Sequence, residues 1–362
     1  VVDWLLDNDY LQARLMNRIL NLYYVNDLTQ SDIAHQLGLS TTKVNRLLQL
    51  ARRNKMVEFA IKTPFQYLFD MEAELQKHFD LHDAWIVPLE GSETSLRSIG
   101  MAGARFLLNH LQDGDVIAVG GGATIYALVE SVVTERKYQV EVVPAVGGIQ
   151  GRSTTDVNFL ASQLAERLGG RSYQLFSPAF VETPDQREAL LQMAPIKEVL
   201  DIARRASIAL IGVGTVDPNS SRFVLFTALS PEEMLQITEL YGGVGETLAV
   251  VYDIDGNPCA PEYADRVVGL SLDELKRIPL RLGVASSAEK SQAIYGALRG
   301  GHLSSLVTDE AAANGVIDCC LIHQDVDLPV ELKRSRETIA ESYSFMQKTQ
   351  KVDEAGNAKF RK

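Results

Sequence analysis

Cysteine is scarce in this chain, with only Cys259 and the adjacent pair Cys319 and Cys320 among 362 residues. Three thiols so placed make neither a disulfide framework nor a metal-ligand spacing, and they suit a reduced, cytoplasmic protein. Apolar runs of about 18 residues, the length needed to cross a bilayer, are absent. No basic stretch precedes an apolar one near the start, so no secretory leader is expected. Several chemical signatures are missing too. No G-x-S-x-G turn presents a nucleophile, no Lys-Ser/Thr follows a glycine loop, and no full G-x-G-x-x-G occurs where a dinucleotide fold would carry one. No His, Cys or Asp cluster has the spacing of metal ligands, so neither metal nor cofactor is expected. The six histidines (His35, His78, His82, His110, His302 and His323) miss the glycine-rich segments described below, with His302 the one open case. That weakens the case for an enzyme, although a carboxylate can replace histidine as a general base.

Positive charge is also short overall, with a net charge of −12, yet it is unevenly spread. Residues 1–62 hold eight Lys/Arg against six Asp/Glu, which leaves −14 on the remaining 300. Between Ser40 and Val57 there are five basic residues and no acidic one. A small basic face on an acidic body suits a protein that touches nucleic acid through one module only.

That basic segment overlaps residues 30–49, QSDIAHQLGLSTTKVNRLLQ, which have the spacing of a helix-turn-helix. Ile33, Leu37, Val44 and Leu47 form an apolar stripe that changes helix between Leu37 and Val44. Ala34 is small where a second helix must cross closely. Gly38 stands where the turn needs a left-handed residue. Leu39 plugs the corner, and Ser40 can cap the second helix. Thr41, Thr42, Lys43, Asn45 and Arg46 then point outward, able to meet bases and phosphates, with Arg52, Arg53 and Lys55 beyond them.

Leu11, Leu15, Ile19 and Leu22 recur at helical spacing, so residues 10–24 read as a helix packed on this motif. Val57–Lys62 (VEFAIK) alternates like a short strand or wing, and Pro64 ends it. Leu68, Met71, Leu75 and Phe79 make 66–80 an amphipathic helix, either a cap on the next domain or a linker that pairs with a second subunit. From Asp83 onward, strand-like runs (AWIVPL, DVIAVGGG, VEVVPAVGG, ASIALIGVG, ETLAVVYD, RLGVASS, SSLVTDE) alternate with helical stretches such as Ile125–Val133, Asp156–Leu168, Asp185–Ala203 and Glu289–Leu298. Such alternation predicts an α/β domain with a largely parallel sheet. Val244–Gly256 reads instead as two strands with no helix between them, an antiparallel addition. Residues 347–362 are polar and nearly free of anchors, which predicts disorder.

In open α/β sheets, ligands bind at the carboxyl ends of strands. Three of those ends are rich in glycine: Gly120–Gly122 leading to Ala123 and Thr124, Pro144–Gly148, and Gly212–Gly214. Such loops let backbone N–H groups approach an anion and aim a helix dipole at it. Asp253 and Asp255 in YDIDG could receive sugar hydroxyls, or simply make a turn. Lys290, at a helix start after RLGVASS, could hold a phosphate. Arg187 could do the same or form a surface ion pair.

With these motifs assembled, the chain up to about residue 318 resembles the SorC family of sugar-responsive bacterial transcription regulators. The resemblance rests on LYYVNDLTQSDIAHQLGLSTTKVNRLLQLARRNKMVEFAI, DVIAVGGGATIYALVE, VEVVPAVGG, NFLASQLAERLGG, ALIGVGTVDP, VGETLAVVYDIDG and SSLVTDEAA. It implies a winged helix-turn-helix joined to a Rossmann-like effector domain similar to sugar-phosphate isomerases and deaminases. It further implies a homodimer or homotetramer, operator DNA and a phosphorylated sugar or polyol as partners, and no catalysis. By the same resemblance, Tyr24, Gln30, Thr42 and Arg46 would touch the operator. The effector phosphate would meet Gly121, Gly122, Ala123, Thr124 and Lys290, and the sugar would approach Gly148, Gly214, Glu246 and Asp253, with Arg187 matching only loosely. The expected domains are 1–62 for DNA, 63–82 as a connecting helix, 83–318 for the effector, and 319–362 as an extension beyond the family pattern. An active sugar-phosphate isomerase or deaminase carrying a DNA-binding head is the alternative.

Overall fold

The computed structural model describes residues 9–57, 63–89, 96–149, 153–218, 220–221 and 229–323. The chain divides into two compact units, Val1–Pro64 and Phe65–Lys362. The strand or wing expected at Val57–Lys62 lies almost wholly outside the described residues, as does the tail beyond 323.

Among its described residues the first unit holds α1 (Asp9–Tyr24), α2 (Gln30–Leu37) and α3 (Thr41–Arg53). Their core is Ile19, Ile33, Ala34, Val44 and Leu48. On α3 the buried positions are Val44, Leu48 and Ala51, at the helical steps of four and three. Leu47, expected in the stripe, packs at its edge instead.

In the second unit a seven-stranded sheet is parallel throughout. Its strands are β1 (Asp83–Val87), β2 (Val116–Val119), β3 (Glu141–Pro144), β4 (Arg171–Ser172), β5 (Ile208–Gly212), β9 (Leu280–Val284) and β10 (Ser305–Asp309), in the order β1-β10-β9-β5-β2-β3-β4. The expected antiparallel addition is a small sheet of β6 (Gly214–Thr215), β7 (Gly245–Thr247) and β8 (Val250–Tyr252).

Alternation along the strands gives the unit two cores. Ile117, Val119, Val142 and Leu210 join side chains of α5 (Leu96–His110), α6 (Ala123–Ser131) and α7 (Val157–Leu168). Ala118, Val143, Ala209 and Ile211 belong to the opposite core. That core includes α4 (Gln66–Phe79), α9 (Ala194–Arg204), α13 (Ser291–Arg299) and α14 (Glu310–Ile322). Sheets covered on both faces need strands that are apolar nearly throughout, as these are.

Three shorter helices, α10 (Pro231–Leu235), α11 (Pro261–Ala264) and α12 (Leu272–Lys276), fill connections. The stretch 185–203, expected as one helix, is broken into α8 (Pro184–Leu191) and α9, because Pro195 lacks an N–H and is tolerated only in a first turn. Of the two readings left open for α4, its burial fits the cap: Leu68, Met71 and Leu75 enter the second unit's core. Glu72 of α4 also accepts the N–H of Ile86 at 2.7 Å, which covers the exposed side of edge strand β1.

His302 is fully buried, and its Nε2 faces Gly256 O at 2.7 Å, so the neutral ring carries its proton there. Burial lowers its pKa to about 4, and the nearby Lys276 and Arg281 push the same way. A folded pKa below the unfolded value means that stability is complete above pH 6.5 and is lost as pH falls toward 4. Between pH 7.5 and 4.5 the loss from this ring should be about 2–3 kcal/mol. Urea melts of wild type and His302→Gln at both pH values check this, and the variant should lose correspondingly less stability on acidification.

Candidate functional site

The first unit presents one polar helix face. Thr29 caps α2 by accepting the Asp32 N–H at 3.2 Å. Gly38 then adopts φ 62°, the left-handed turn that the sequence required. Ser40 caps α3 through the Lys43 N–H at 3.2 Å, so its hydroxyl is already partnered. Thr41, Thr42, Lys43, Asn45, Arg46 and Arg53 are exposed together on or beside α3, while Gln30 is half-buried at the start of α2. Arg52 is exposed too, but held: its Nε donates to the Tyr24 hydroxyl at 2.7 Å, which raises the guanidinium pKa further. Tyr24 thus orients Arg52, and the remaining guanidinium N–H groups can still meet a phosphate.

The second unit contains a cavity of about 410 Å³, within the ordinary range for small-molecule sites. Its position follows from topology. The chain builds β3 and β4 on one side of β2, then returns to place β5, β9 and β10 on the other. At such a reversal the loops diverge and leave a crevice. Its wall comes from the ends of β2 (Gly120–Thr124), β3 (Val146, Ile149), β5 (Gly212–Thr215) and β9 (Ser286, Ser287, Glu289, Lys290), plus Glu246, Leu248 and Ala249 of the β7–β8 hairpin.

At the β2 end, Gly122 has φ 115°, which residues with side chains rarely adopt, and gives α6 no side-chain cap. The first N–H groups of α6 therefore lack an intrahelical partner, and the helix dipole is positive there. The Thr124 hydroxyl donates to Val284 O at 2.7 Å, so what Thr124 offers an anion is chiefly its backbone N–H. Lys290 adds a positive charge to the same wall.

Glu246 stands across from this charge. Its Oε2 accepts the Ala249 N–H at 3.1 Å, and a side chain at Gly214 would overlap its carboxylate. Burial raises its pKa to about 7, partly opposed by the Ala249 bond and by Lys290. The hairpin that carries it is strained, with φ 50° at Leu248 and 64° at Ala249, and Ser287 across the wall has φ 93°. Such conformations cost about 1–3 kcal/mol each and gather where binding needs a preset backbone.

Three expected contacts lie off this wall. Arg187 donates from Nε to Val267 O at 2.7 Å. Asp253 accepts the N–H groups of Asp255 and Asn257 at 3.0 and 2.8 Å, the turn chemistry that was its other reading. Gly148 has its N–H on Ser177 O and its carbonyl on Ala179 N, which leaves no backbone donor for a sugar. Sequence reasoning missed Ser286 and Ser287, which sit in the RLGVASS run beside Lys290, and it missed the hairpin tip. Among the described residues no group of three or more His, Cys, Asp or Glu converges as metal ligands.

Residues 63–318 match the sugar-binding domain family profile, and residues 16–54, spanning most of α1 through α3, match sigma-70 region 4. The chain belongs to the SorC-type sugar-binding family. It is 29% identical over 308 residues to the transcriptional regulator LsrR of Klebsiella pneumoniae, covering 84% of this chain and 93% of that one. It is 28% identical to the deoxyribonucleoside regulator of Bacillus subtilis, over 86% of this chain and 99% of the relative. The full-length sorbitol operon regulator SorC of K. pneumoniae superposes with a TM-score of 0.66 at 28% identity, over 84% of this chain and 98% of that chain.

In this SorC-type chain the exposed face of α3 generates two expectations. Arg46→Ala should cost about 1–3 kcal/mol at one base position if Arg46 reads guanine. Mobility shifts across operator variants check this, and an unchanged affinity on every variant would remove Arg46 from the reading face. Arg53→Ala should lower the log–log salt slope by about 0.9 per lost phosphate contact.

Proposed function

We propose that this chain is a transcription regulator that grips operator DNA with α3 and binds a phosphorylated sugar or polyol in the cavity at the β2/β5 reversal. The observation that carries this reading is one wall bearing both an uncapped helix N-terminus and Lys290, in a chain whose other unit is a helix-turn-helix. A phosphate suits the α6 N-terminus and Lys290. The polar wall of Ser286, Ser287 and Glu246 suits hydroxyls. Relatives named a sorbitol operon regulator and a deoxyribonucleoside regulator fit a sugar-derived effector. Regulation then follows from differential affinity of the effector for two arrangements of the protein. Arg187, Asp253 and Gly148 serve the frame of the domain in this reading. Residues 1–62 form the DNA head and 83–318 the effector domain. A likeness of this effector domain to sugar-phosphate isomerases and deaminases is part of the same reading. Self-association as a homodimer or homotetramer in the cytoplasm completes the proposal, and the exposed Phe65 and Phe69 support it.

A second reading, an active sugar-phosphate isomerase or deaminase, gains from one observation only. Glu246 with a pKa of about 7 is poised as a general base inside the cavity. Turnover of sugar phosphates by the purified chain, followed by NMR, distinguishes the two readings.

A thermal-shift screen of phosphorylated sugars and polyols should yield a stabilising ligand, and the response should be lost in Lys290→Ala. Undiminished binding to that variant by calorimetry would place the site elsewhere. Glu246 is neutral below about pH 7 and negative above it, facing an anionic ligand. Raising the pH from 6 to 8 should therefore weaken phosphorylated ligands in wild type relative to Glu246→Gln. An identical pH profile for the two proteins would show that this carboxyl does not face the ligand.

A further inference from the structure

The cavity wall is tied to the first helix of its unit by buried carboxylates that ligand binding itself does not require. Ser287, on the wall after β9, holds its left-handed backbone with its N–H on Asp309 Oδ2 at 3.0 Å. The other oxygen of Asp309 accepts the Ala312 N–H at 2.8 Å, so one carboxylate both caps α14 and clamps the strained wall. Asp309 is 3% exposed. Glu310 follows it at 4% exposed, and its Oε2 accepts the Tyr67 hydroxyl at 3.1 Å and the Leu89 N–H at 3.3 Å. Tyr67 is the second residue of α4, which begins two residues after the boundary at Pro64. A second tie runs in parallel: the Ser291 hydroxyl bonds to Ala288 O at 2.7 Å and packs against Gly315 of α14. The turn that carries Lys290 and the helix α14 are therefore fastened at two points.

We propose that the Asp309–Glu310 pair is the relay through which an occupied cavity acts on α4, the helix that follows directly on the DNA head in the chain. This rests on the sensing role proposed for the cavity. Ser287 is the two-state element. An anion drawn to the Ser286–Lys290 wall competes with Asp309 for the Ser287 N–H, and the strained backbone relaxes once that bond is lost. Asp309 then holds α14 by its cap alone. The tilt of the α14 N-terminus is felt one residue on, at Glu310, where it loosens or tightens the Tyr67 hydroxyl. Asp309 and Glu310 are positioning residues in this scheme and need not touch the ligand.

Contiguity alone is not coupling, so the test measures coupling by hydrogen exchange on the full chain without added ligand. Tyr67→Phe removes only a hydroxyl. By reciprocity of linked sites it should raise exchange in residues 286–290, on the far side of the relay, by about three- to tenfold. Asp309→Asn, which keeps a good helix cap, should raise exchange in residues 66–79 similarly, and the double variant should exceed neither single change by more than a small factor. Glu310→Gln retains an acceptor oxygen and should behave as wild type. If Tyr67→Phe alters residues 66–79 alone, or if the two changes simply add, the relay is refuted. A parallel arm adds glucitol 6-phosphate to the wild type. Silence at both 121–124 and 286–290 would count against the sensing role of the cavity, while the variant arm still decides the relay.

Discussion

Everything in the second unit depends on the reversal of strand order between β2 and β5. At that point the chain ends of a parallel sheet must part, so a crevice is unavoidable, and the helix that follows β2 must start at its edge. The α6 N-terminus is left without a side-chain cap. Its unpartnered N–H groups, the partial positive charge of the helix dipole and Lys290 then make the crevice receptive to anions. Three of the non-glycine residues with positive φ, Leu248, Ala249 and Ser287, line this same space. Positive-φ residues lining a cavity are a recurring property of sites whose backbone is set before the ligand arrives.

The two units answer different physical demands. The head has a small core and keeps its polar residues for one helix face, with five basic residues and no acidic one between Ser40 and Val57. The larger unit is acidic overall and brings the candidate binding residues together around a cavity. This separation predicts a head that responds to salt as a phosphate binder does and a cavity that responds to pH through Glu246. α4 belongs to the core of the larger unit, and it is also the first described element after the head in the chain.

Much of this was legible in the sequence, for identifiable reasons. The helix-turn-helix was readable because a tight turn, a cap and a buried stripe must occur at fixed spacing. The parallel sheet was readable because doubly covered strands are apolar nearly throughout. Helix α5 was not singled out: Gly100 and Gly103 disfavour a helix in isolation, and only the structure shows that side chains there would collide with α6. Arg187 and Asp253 carry the right chemistry in suggestive places, but single residues do not reveal that Arg187 Nε is committed to Val267 O and Asp253 Oδ1 to a turn, off the cavity wall. The raised pKa of Glu246 was invisible for the opposite reason, since burial is a property of the assembled cavity. Ser286 and Ser287 were overlooked because serine after a strand is common and neither makes a motif.

The central claim is that ligand in the cavity and DNA on α3 are felt by one molecule. The most direct measurement is fluorescence anisotropy of a labelled operator, selected from random DNA by the full chain, titrated with and without a saturating sugar phosphate found to bind the cavity. The account predicts that the operator dissociation constant shifts by about 5- to 150-fold, the range of ordinary allosteric coupling. Equal dissociation constants in the two titrations, with the ligand demonstrably bound, would contradict it.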